Sequence, residues 1–137
     1  MASDFPGAFA ALREIMRKHA GGLIVQSDTP TNFELVTPAT LPNGKPLWFG
    51  AVVMKKTAVT YYLVPMYDPT IEARLSPQLR KRKHGKTCFN FQRPDPALFA
   101  ELDQVTEAAR EHWQRTGFFA RGSLTREQLT AAAGGAC

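Results

Sequence analysis

The sequence has few of the residues that build disulfide frameworks and metal sites. Its 137 residues include two cysteines, Cys88 and Cys137, and three histidines. Two cysteines cannot form the disulfide framework of a small secreted domain, which favours a reducing compartment. The histidines His19, His84 and His112 show no metal-ligand spacing. The sequence therefore predicts no zinc site and no cofactor.

Signals for secretion, membrane insertion and catalysis are also missing. The N-terminal residues contain no basic segment followed by an apolar one, and the longest apolar run, residues 47–54, is too short to span a bilayer. We therefore expect a cytoplasmic protein without a membrane partner. The chain has no glycine-rich phosphate loop, nucleophile elbow or Ser–His–Asp pattern. The sequence identifies no reaction and leaves open whether the protein is an enzyme.

The residues that are present have the composition of an ordinary folded domain. Hydrophobic residues make up 44% of the chain and charged residues 21%, which excludes disordered, collagen-like and coiled-coil chains. A length of 137 residues suits one hydrophobic core. We expect a single domain over residues 1–117, followed by a loosely ordered tail over residues 118–137.

The spacing of apolar residues predicts both helices and strands. Apolar residues three and four positions apart predict a first helix after Asp4 and a last helix after Asp95. The predicted buried stripe of the last helix is Leu98, Leu102, Val105 and Ala109. Apolar or alternating runs predict strands over residues 23–26, 32–37, 47–54, 58–64 and 87–91. A helical stretch that starts at Asp68 is divided by Ser76-Pro77.

The predicted order of elements is α-β-β-β-β-α-β-α. Short reversals at Asn43-Gly44 and at residues 55–57 join neighbouring strands, which makes the sheet mainly antiparallel. Each longer helix has one apolar stripe, which suits a helix that covers a sheet. We therefore expect a two-layer α+β fold with the helices on one face of the sheet.

The positive charge of the chain is concentrated in one segment. The formal net charge is +5, and five cations lie within seven positions: Arg80, Lys81, Arg82, Lys83 and Lys86. Such a cluster can bind phosphate, an acidic ligand or a nucleic-acid backbone. The alternative is a solvated helix end that keeps the domain soluble. No recognisable nucleic-acid module accompanies the cluster, which argues against a nucleic-acid partner.

Aromatic residues with a polar edge lie on or beside the central predicted strands: Trp48, Tyr61, Tyr62 and Tyr67. These residue types line small-molecule pockets, although they also pack in ordinary sheets. Alternation separates Tyr61 from Tyr62, so only one of them can face the helices. The resulting hypothesis is a non-catalytic binding module for a small or anionic ligand. Its predicted ligand-binding residues are Trp48, Lys56, Tyr62, Tyr67 and Lys86, beside an anion-binding group of Arg80, Lys81, Arg82 and Lys83.

An ordered series of motifs resembles the YdhG-like family, a bacterial domain of unknown function. The series comprises residues 43–52 (NGKPLWFGAV), Lys55-Lys56, residues 61–67 (YYLVPMY), residues 76–82 (SPQLRKR), residues 85–91 (GKTCFNF) and the helix from Asp95. The resemblance covers roughly residues 9–117. It implies a compact sheet covered by helices, similar to secretion-chaperone-like folds. Some relatives are labelled frataxin-like iron chaperones, and the family supplies no established catalytic residues to transfer.

Two further functions stay open at the level of sequence. Asp103, Glu107 and Glu111 recur every four residues on the last helix and could handle iron, although a solvated helix face has the same pattern. A sheet with helices on one face also leaves an apolar second face to cover. A homodimer through that face is the other alternative.

Overall fold

An antiparallel sheet with helices on one of its faces forms the part of the chain that the structure describes. This computed structural model describes residues 3–40, 44, 46–67, 69–85, 87–116 and 122–123. The helices in these ranges are α1 (Phe5–Lys18), α2 (Pro69–Glu72), α3 (Pro77–Arg80) and α4 (Pro96–Arg115), with a 3-10 turn at Val64–Tyr67. The strands are β1 (Ile24–Thr29), β2 (Asn32–Thr40), β3 (Pro46–Met54), β4 (Val59–Leu63), β5 (Lys83–His84), β6 (Cys88–Phe91) and β7 (Gly122–Ser123).

Local hairpins set most of the strand order, which is β1-β2-β3-β4-β6-β5 with antiparallel pairing throughout. Strand β7 pairs in parallel with the end of β2. In the predicted reversal between β3 and β4, the Lys55 N–H donates to the Ala58 carbonyl at 2.9 Å. Gly44 has the positive φ of 83° that suits a hairpin turn, while Asn43 lies outside the described residues. The predicted α+β class and mainly antiparallel sheet are confirmed.

Strand register divides the central side chains between the two faces of the sheet. Phe33, Val52, Tyr61 and Phe89 form one row across β2, β3, β4 and β6, and all four are fully buried. The next row along the strands points to the opposite face, because successive side chains alternate. That row consists of Glu34, Ala51, Tyr62 and Cys88.

The helices pack on the face that carries the first of these rows. Helix α1 lays Met16 against Gly50 of β3, and the Tyr61 hydroxyl of β4 bonds Thr106 of α4 at 2.6 Å. Burial raises the pKa of Tyr61 above its ordinary value, so the phenol keeps its proton for this hydrogen bond. Helices α2 and α3 contact α4, which places them in the same layer. None of the described helices is long and apolar enough to cross a bilayer.

The two long helices begin where the sequence predicts. The Asp4 carboxylate accepts from the Gly7 N–H at 3.0 Å, and the Asp95 carboxylate accepts from the Leu98 N–H at 3.1 Å. A proline follows each cap in the first turn, where its missing N–H removes no helical hydrogen bond. These caps fix the point at which the chain enters the helical layer.

The structure corrects several predicted elements. Strand β5 occupies part of the basic segment for which a solvated helix end was the alternative interpretation, because pairing with β6 outweighs its weak local propensity. The predicted division at Ser76-Pro77 is confirmed, since Ser76 caps α3, but α2 and α3 are each only a single turn. Strand β7 lies within the predicted tail. In α4, Phe99 and Trp113 join the buried stripe while Leu98 is only partly buried. The rest of the predicted tail, residues 118–137, lies outside the described residues.

Gly50 is a position where close packing excludes a side chain. A Cβ there would lie 2.7 Å from Met16 Cε and 2.8 Å from the Tyr62 carbonyl oxygen. Gly50→Ala should lower the free energy of unfolding by about 1–3 kcal/mol, because a backbone atom of β4 would have to move. Urea denaturation of both proteins measures this difference.

Gly21→Ala is the matched control, since a Cβ at Gly21 meets no atom closer than 3.8 Å. Its unfolding free energy should stay within about 0.5 kcal/mol of the wild type. Equal effects of the two substitutions would contradict the close approach of α1 and β3.

Candidate functional site

The basic segment contains cations that form an ion pair with Glu72 and cations that form no ion pair with a described residue. The Arg80 guanidinium binds the Glu72 carboxylate, and also donates to the backbone carbonyls of Glu72 at 3.2 Å and Leu75 at 3.3 Å. The Lys83 ammonium lies 3.6 Å from the same carboxylate. Arg80 and Lys83 therefore tie α3 and β5 to the end of α2. Two of the four predicted anion-binding residues have a structural partner.

The other two cations, Lys81 and Arg82, face a surface cleft between α3 and the start of α4. The cleft has a volume of about 460 Å³ and is lined by Gln78, Lys81, Arg82, Asp95, Ala97 and Leu98. A smaller cavity of about 90 Å³ shares Arg82 and Asp95 with it, and adds Phe91, Gln92 and Arg93. We call the two neighbouring spaces together the cationic cleft. Arg93, which we did not predict as a site residue, is the third cation of this cleft.

Hydrogen bonds between α3 and α4 hold the two sides of the cationic cleft together. Glu101 of α4 accepts from the Ser76 N–H at 2.7 Å and from the Ser76 hydroxyl at 2.6 Å. Ser76 in turn caps α3 by accepting from the Leu79 N–H at 3.2 Å. The Asn90 N–H donates to the Arg82 carbonyl at 3.0 Å, which holds Arg82 beside β6. Residues that are distant in sequence therefore face one space.

The charge balance of the cationic cleft is positive. Within the described part of the chain, no ion pair occupies the side chains of Lys81, Arg82 or Arg93. Among the described residues of its lining, Asp95 is the one carboxylate, and one of its oxygens caps α4. Planar guanidinium groups match the geometry of phosphate and carboxylate oxygens, and the adjacent start of a 20-residue helix adds a favourable dipole. This lining suits an anion.

The predicted aromatic residues lie on two faces of the sheet, as alternation requires. Tyr61 is buried beneath α4, while Tyr62 is half-buried on the face that no described helix covers. The rings of Trp48 and Tyr62 meet edge to face with centroids 6.4 Å apart. The structure therefore brings together two of the five predicted ligand-binding residues.

The cation that contacts this aromatic pair is Lys55, which we did not predict. Its ammonium donates to the Tyr62 hydroxyl at 2.7 Å and lies 5.1 Å from the centre of the ring. Lys56 is exposed and makes no such contact. Lys86 and the side chain of Tyr67 lie outside the described residues. The predicted aromatic ligand site remains a prediction.

Asp103 differs from the other two acids of the predicted iron-binding stripe. Its carboxylate accepts from His19 Nε2 at 2.5 Å and from Lys18 Nζ at 2.9 Å, which joins the end of α1 to α4. Glu107 and Glu111 are exposed. In the residues that the structure describes, no group of three or more His, Cys, Asp or Glu side chains is arranged to hold a metal ion.

The surroundings of Asp103 change its ionisation. Partial burial by itself raises the pKa of the carboxyl, but hydrogen bonds and charge from His19 and Lys18 lower the pKa by more, so that it lies below its ordinary value. The folded protein therefore favours the ionised carboxylate. Asp103 contributes stability as a link between helices.

Two of the three cations of the cationic cleft could be predicted from the sequence. The run at residues 80–83 identified Lys81 and Arg82, but nothing in the sequence separated them from Arg80 and Lys83. Arg93 stands alone in the segment before the Asp95 cap, so only the fold brings it to the cleft. Comparisons with family models, curated proteins and solved structures gave no match to this chain. The geometry of the cleft is therefore the basis for assigning a function.

Replacement of Asp103 by asparagine should reveal the pH dependence of the link between α1 and α4. At neutral pH we expect Asp103→Asn to lower the free energy of unfolding by about 1–2 kcal/mol. Because the folded pKa is depressed, this contribution is complete above the unfolded carboxyl pKa of about 3.9 and is lost as pH falls through the folded pKa. Urea denaturation from pH 7 to pH 3 measures the difference between the two proteins.

Glu107→Gln, one helical turn further along an exposed face, is the control and should change stability by less than about 0.5 kcal/mol. A difference between wild type and Asp103→Asn that stays constant down to the lowest pH would contradict the proposed ion pair.

Proposed function

We propose that this protein is a non-catalytic binding module for a small anionic ligand, which occupies the cationic cleft. The observation that supports this function is the separation of the basic segment into two kinds of residue. Arg80 and Lys83 share the carboxylate of Glu72, whereas Lys81 and Arg82 line one cavity and Arg82 and Arg93 line the smaller one beside it. Cations without an ion pair that line two neighbouring cavities suit an anion better than they suit solubility alone.

The shape of the basic surface favours a small ligand over a nucleic-acid backbone. A polymer of phosphates is bound by cations that are spread along a groove or stripe. Here Glu72 pairs with two cations of the run, Lys81 and Arg82 line one cavity of limited volume, and Arg82 and Arg93 line a smaller one beside it. The charge is therefore concentrated on one point rather than distributed over several phosphates.

The described lining also favours binding over chemistry. Its side chains are amides, cations, apolar groups and the single carboxylate of Asp95. One oxygen of that carboxylate already accepts from the Leu98 N–H. No nucleophile paired with a base faces the cationic cleft among the described residues. Ligand recognition by charge and shape is the function that this lining supports.

Replacement of Arg82 by glutamine should weaken anion binding. With inorganic phosphate as the probe, isothermal titration at low ionic strength should show about tenfold weaker binding to Arg82→Gln than to the wild type, because a charge-assisted hydrogen bond is lost. Arg93→Gln should have a similar effect. Phosphate should also raise the melting temperature of the wild type, since a ligand of the folded state stabilises it.

Arg80→Gln is the matched control, because it removes the same charge from the same segment at a residue that is bound to Glu72. Its phosphate affinity should stay within about twofold of the wild type, as expected for a screened charge outside the site. Equal losses in Arg80→Gln and Arg82→Gln would show that net charge, and not the cleft, binds the anion. The absence of any phosphate binding by the wild type would refute the proposed function.

Self-association through the uncovered sheet face is a second candidate function. In the register of the sheet, Ile24 lies opposite Val36, which lies opposite Trp48, so the three side chains share one face. Ile24 is 51% exposed on the edge strand β1, and Trp48 contacts the ring of Tyr62. An apolar row that ends in an exposed residue is typical of an interface between subunits.

Sedimentation equilibrium across the micromolar range tests this second function. A homodimer through the uncovered face should give a mass that rises with concentration, and Ile24→Lys should shift it towards the monomer because a buried charge is costly. Val25→Lys is the control, since Val25 pairs with Leu35 on the other face. A monomeric mass at every concentration would eliminate the homodimer.

A further inference from the structure

The two spaces of the cationic cleft differ in size and in chemistry. The smaller space, about 90 Å³, lies where Arg82 and Arg93 share a cavity with Gln92, and its lining is largely polar. The larger space, about 460 Å³, has Lys81 and Gln78 together with the apolar side chains of Ala97 and Leu98. Arg82 and Asp95 line both spaces, which places the two spaces next to each other. A ligand that occupied both would pass Arg82 and Asp95.

The smaller space suits an oxyanion group by the chemistry of its lining. It is the more compact of the two spaces, and polar atoms make up most of its lining. A phosphoryl group is compact and strongly polar, whereas an aromatic ring would gain little from such a lining. Two guanidinium groups can donate in pairs to phosphoryl oxygens, and they outnumber the one carboxylate in the lining.

The larger space has the size and lining of an organic ligand site. Small-molecule sites enclose about 300–1,000 Å³ and combine apolar walls with a few polar groups. Ala97 and Leu98 supply the apolar wall, and the Gln78 amide can donate or accept a hydrogen bond. Inorganic phosphate alone would leave this space unoccupied.

From this pairing of spaces we infer that the ligand is a small organic phosphate monoester. Its phosphoryl group lies between Arg82 and Arg93, and its organic part extends along Ala97 and Leu98. This inference rests on the proposed anion-binding function and adds the chemical class of the ligand. Its consequence is that an organic group attached to phosphate increases affinity.

Isothermal titration with phenyl phosphate and with inorganic phosphate tests the inference. Wild-type protein should bind phenyl phosphate about tenfold more tightly than inorganic phosphate, because burial of the ring against Ala97 and Leu98 adds apolar contact. Arg82→Gln should weaken the binding of both compounds. The ratio of the dissociation constants of the two compounds shows whether the organic group contributes to binding.

A matched pair of substitutions at Ala97 locates the organic part. Ala97 is exposed in the first turn of α4, where an acidic side chain is compatible with the helix dipole, so both Ala97→Glu and Ala97→Gln should fold. Ala97→Glu places a carboxylate in the larger space and should remove the advantage of phenyl phosphate, since the probe is itself an anion. Ala97→Gln has nearly the same shape without the charge and should keep most of that advantage.

The possible results separate this inference from the function on which it rests. Equal affinities of the wild type for phenyl phosphate and inorganic phosphate would overturn the phosphate ester and leave anion binding intact. A single-stranded oligonucleotide that binds more tightly than phenyl phosphate, and binds Ala97→Glu equally well, would also overturn the inference in favour of a polymer. Failure of both phosphate compounds to bind would refute the proposed function together with the inference.

Discussion

Burial of one face of the sheet beneath α1 and α4 is the constraint on which the rest of the structure depends. Phe33, Val52, Tyr61 and Phe89 supply a continuous buried row within a larger hydrophobic core, and removal of this core from water is the main favourable term in folding. Tyr61 also satisfies its hydroxyl through Thr106, so the same row fixes the position of α4 along the sheet. The α4 side of the cationic cleft follows from where this helix lies.

The position of α4 determines the cleft through a short series of polar contacts. Glu101 binds the backbone and the hydroxyl of Ser76, which caps the single turn of α3. A four-residue helix has little stability of its own, so this anchorage is what gives Lys81 and Arg82 a defined place. Across the cleft, Arg93 lies two residues after the end of β6, whose pairing with β4 is part of the sheet. Packing of apolar residues thereby places three cations along two neighbouring cavities.

Charged residues of this protein have different roles according to their surroundings. Glu72 forms ion pairs with both Arg80 and Lys83, and Asp103 joins α1 to α4 through His19 and Lys18. These contacts convert charges that appear equivalent in the sequence into structural links. The residues left without such partners are the ones that can bind an external ion, because an unpaired cation gains the most from an oxyanion.

The sequence by itself determined the class of the fold and the extent of its main elements. The α+β class, the long capped helices, the central strand β3 and the opposite directions of Tyr61 and Tyr62 all follow from periodicity and capping, which are local properties. The YdhG-like resemblance remains a prediction. Tertiary structure alone decided that β5 pairs with β6 and that Arg80 and Lys83 form ion pairs with Glu72. It also decided that Arg93 lies beside Arg82 and that Asp103 contacts His19. Each of these joins residues from separate elements, and periodicity along a chain contains no information about which distant side chain will supply a partner.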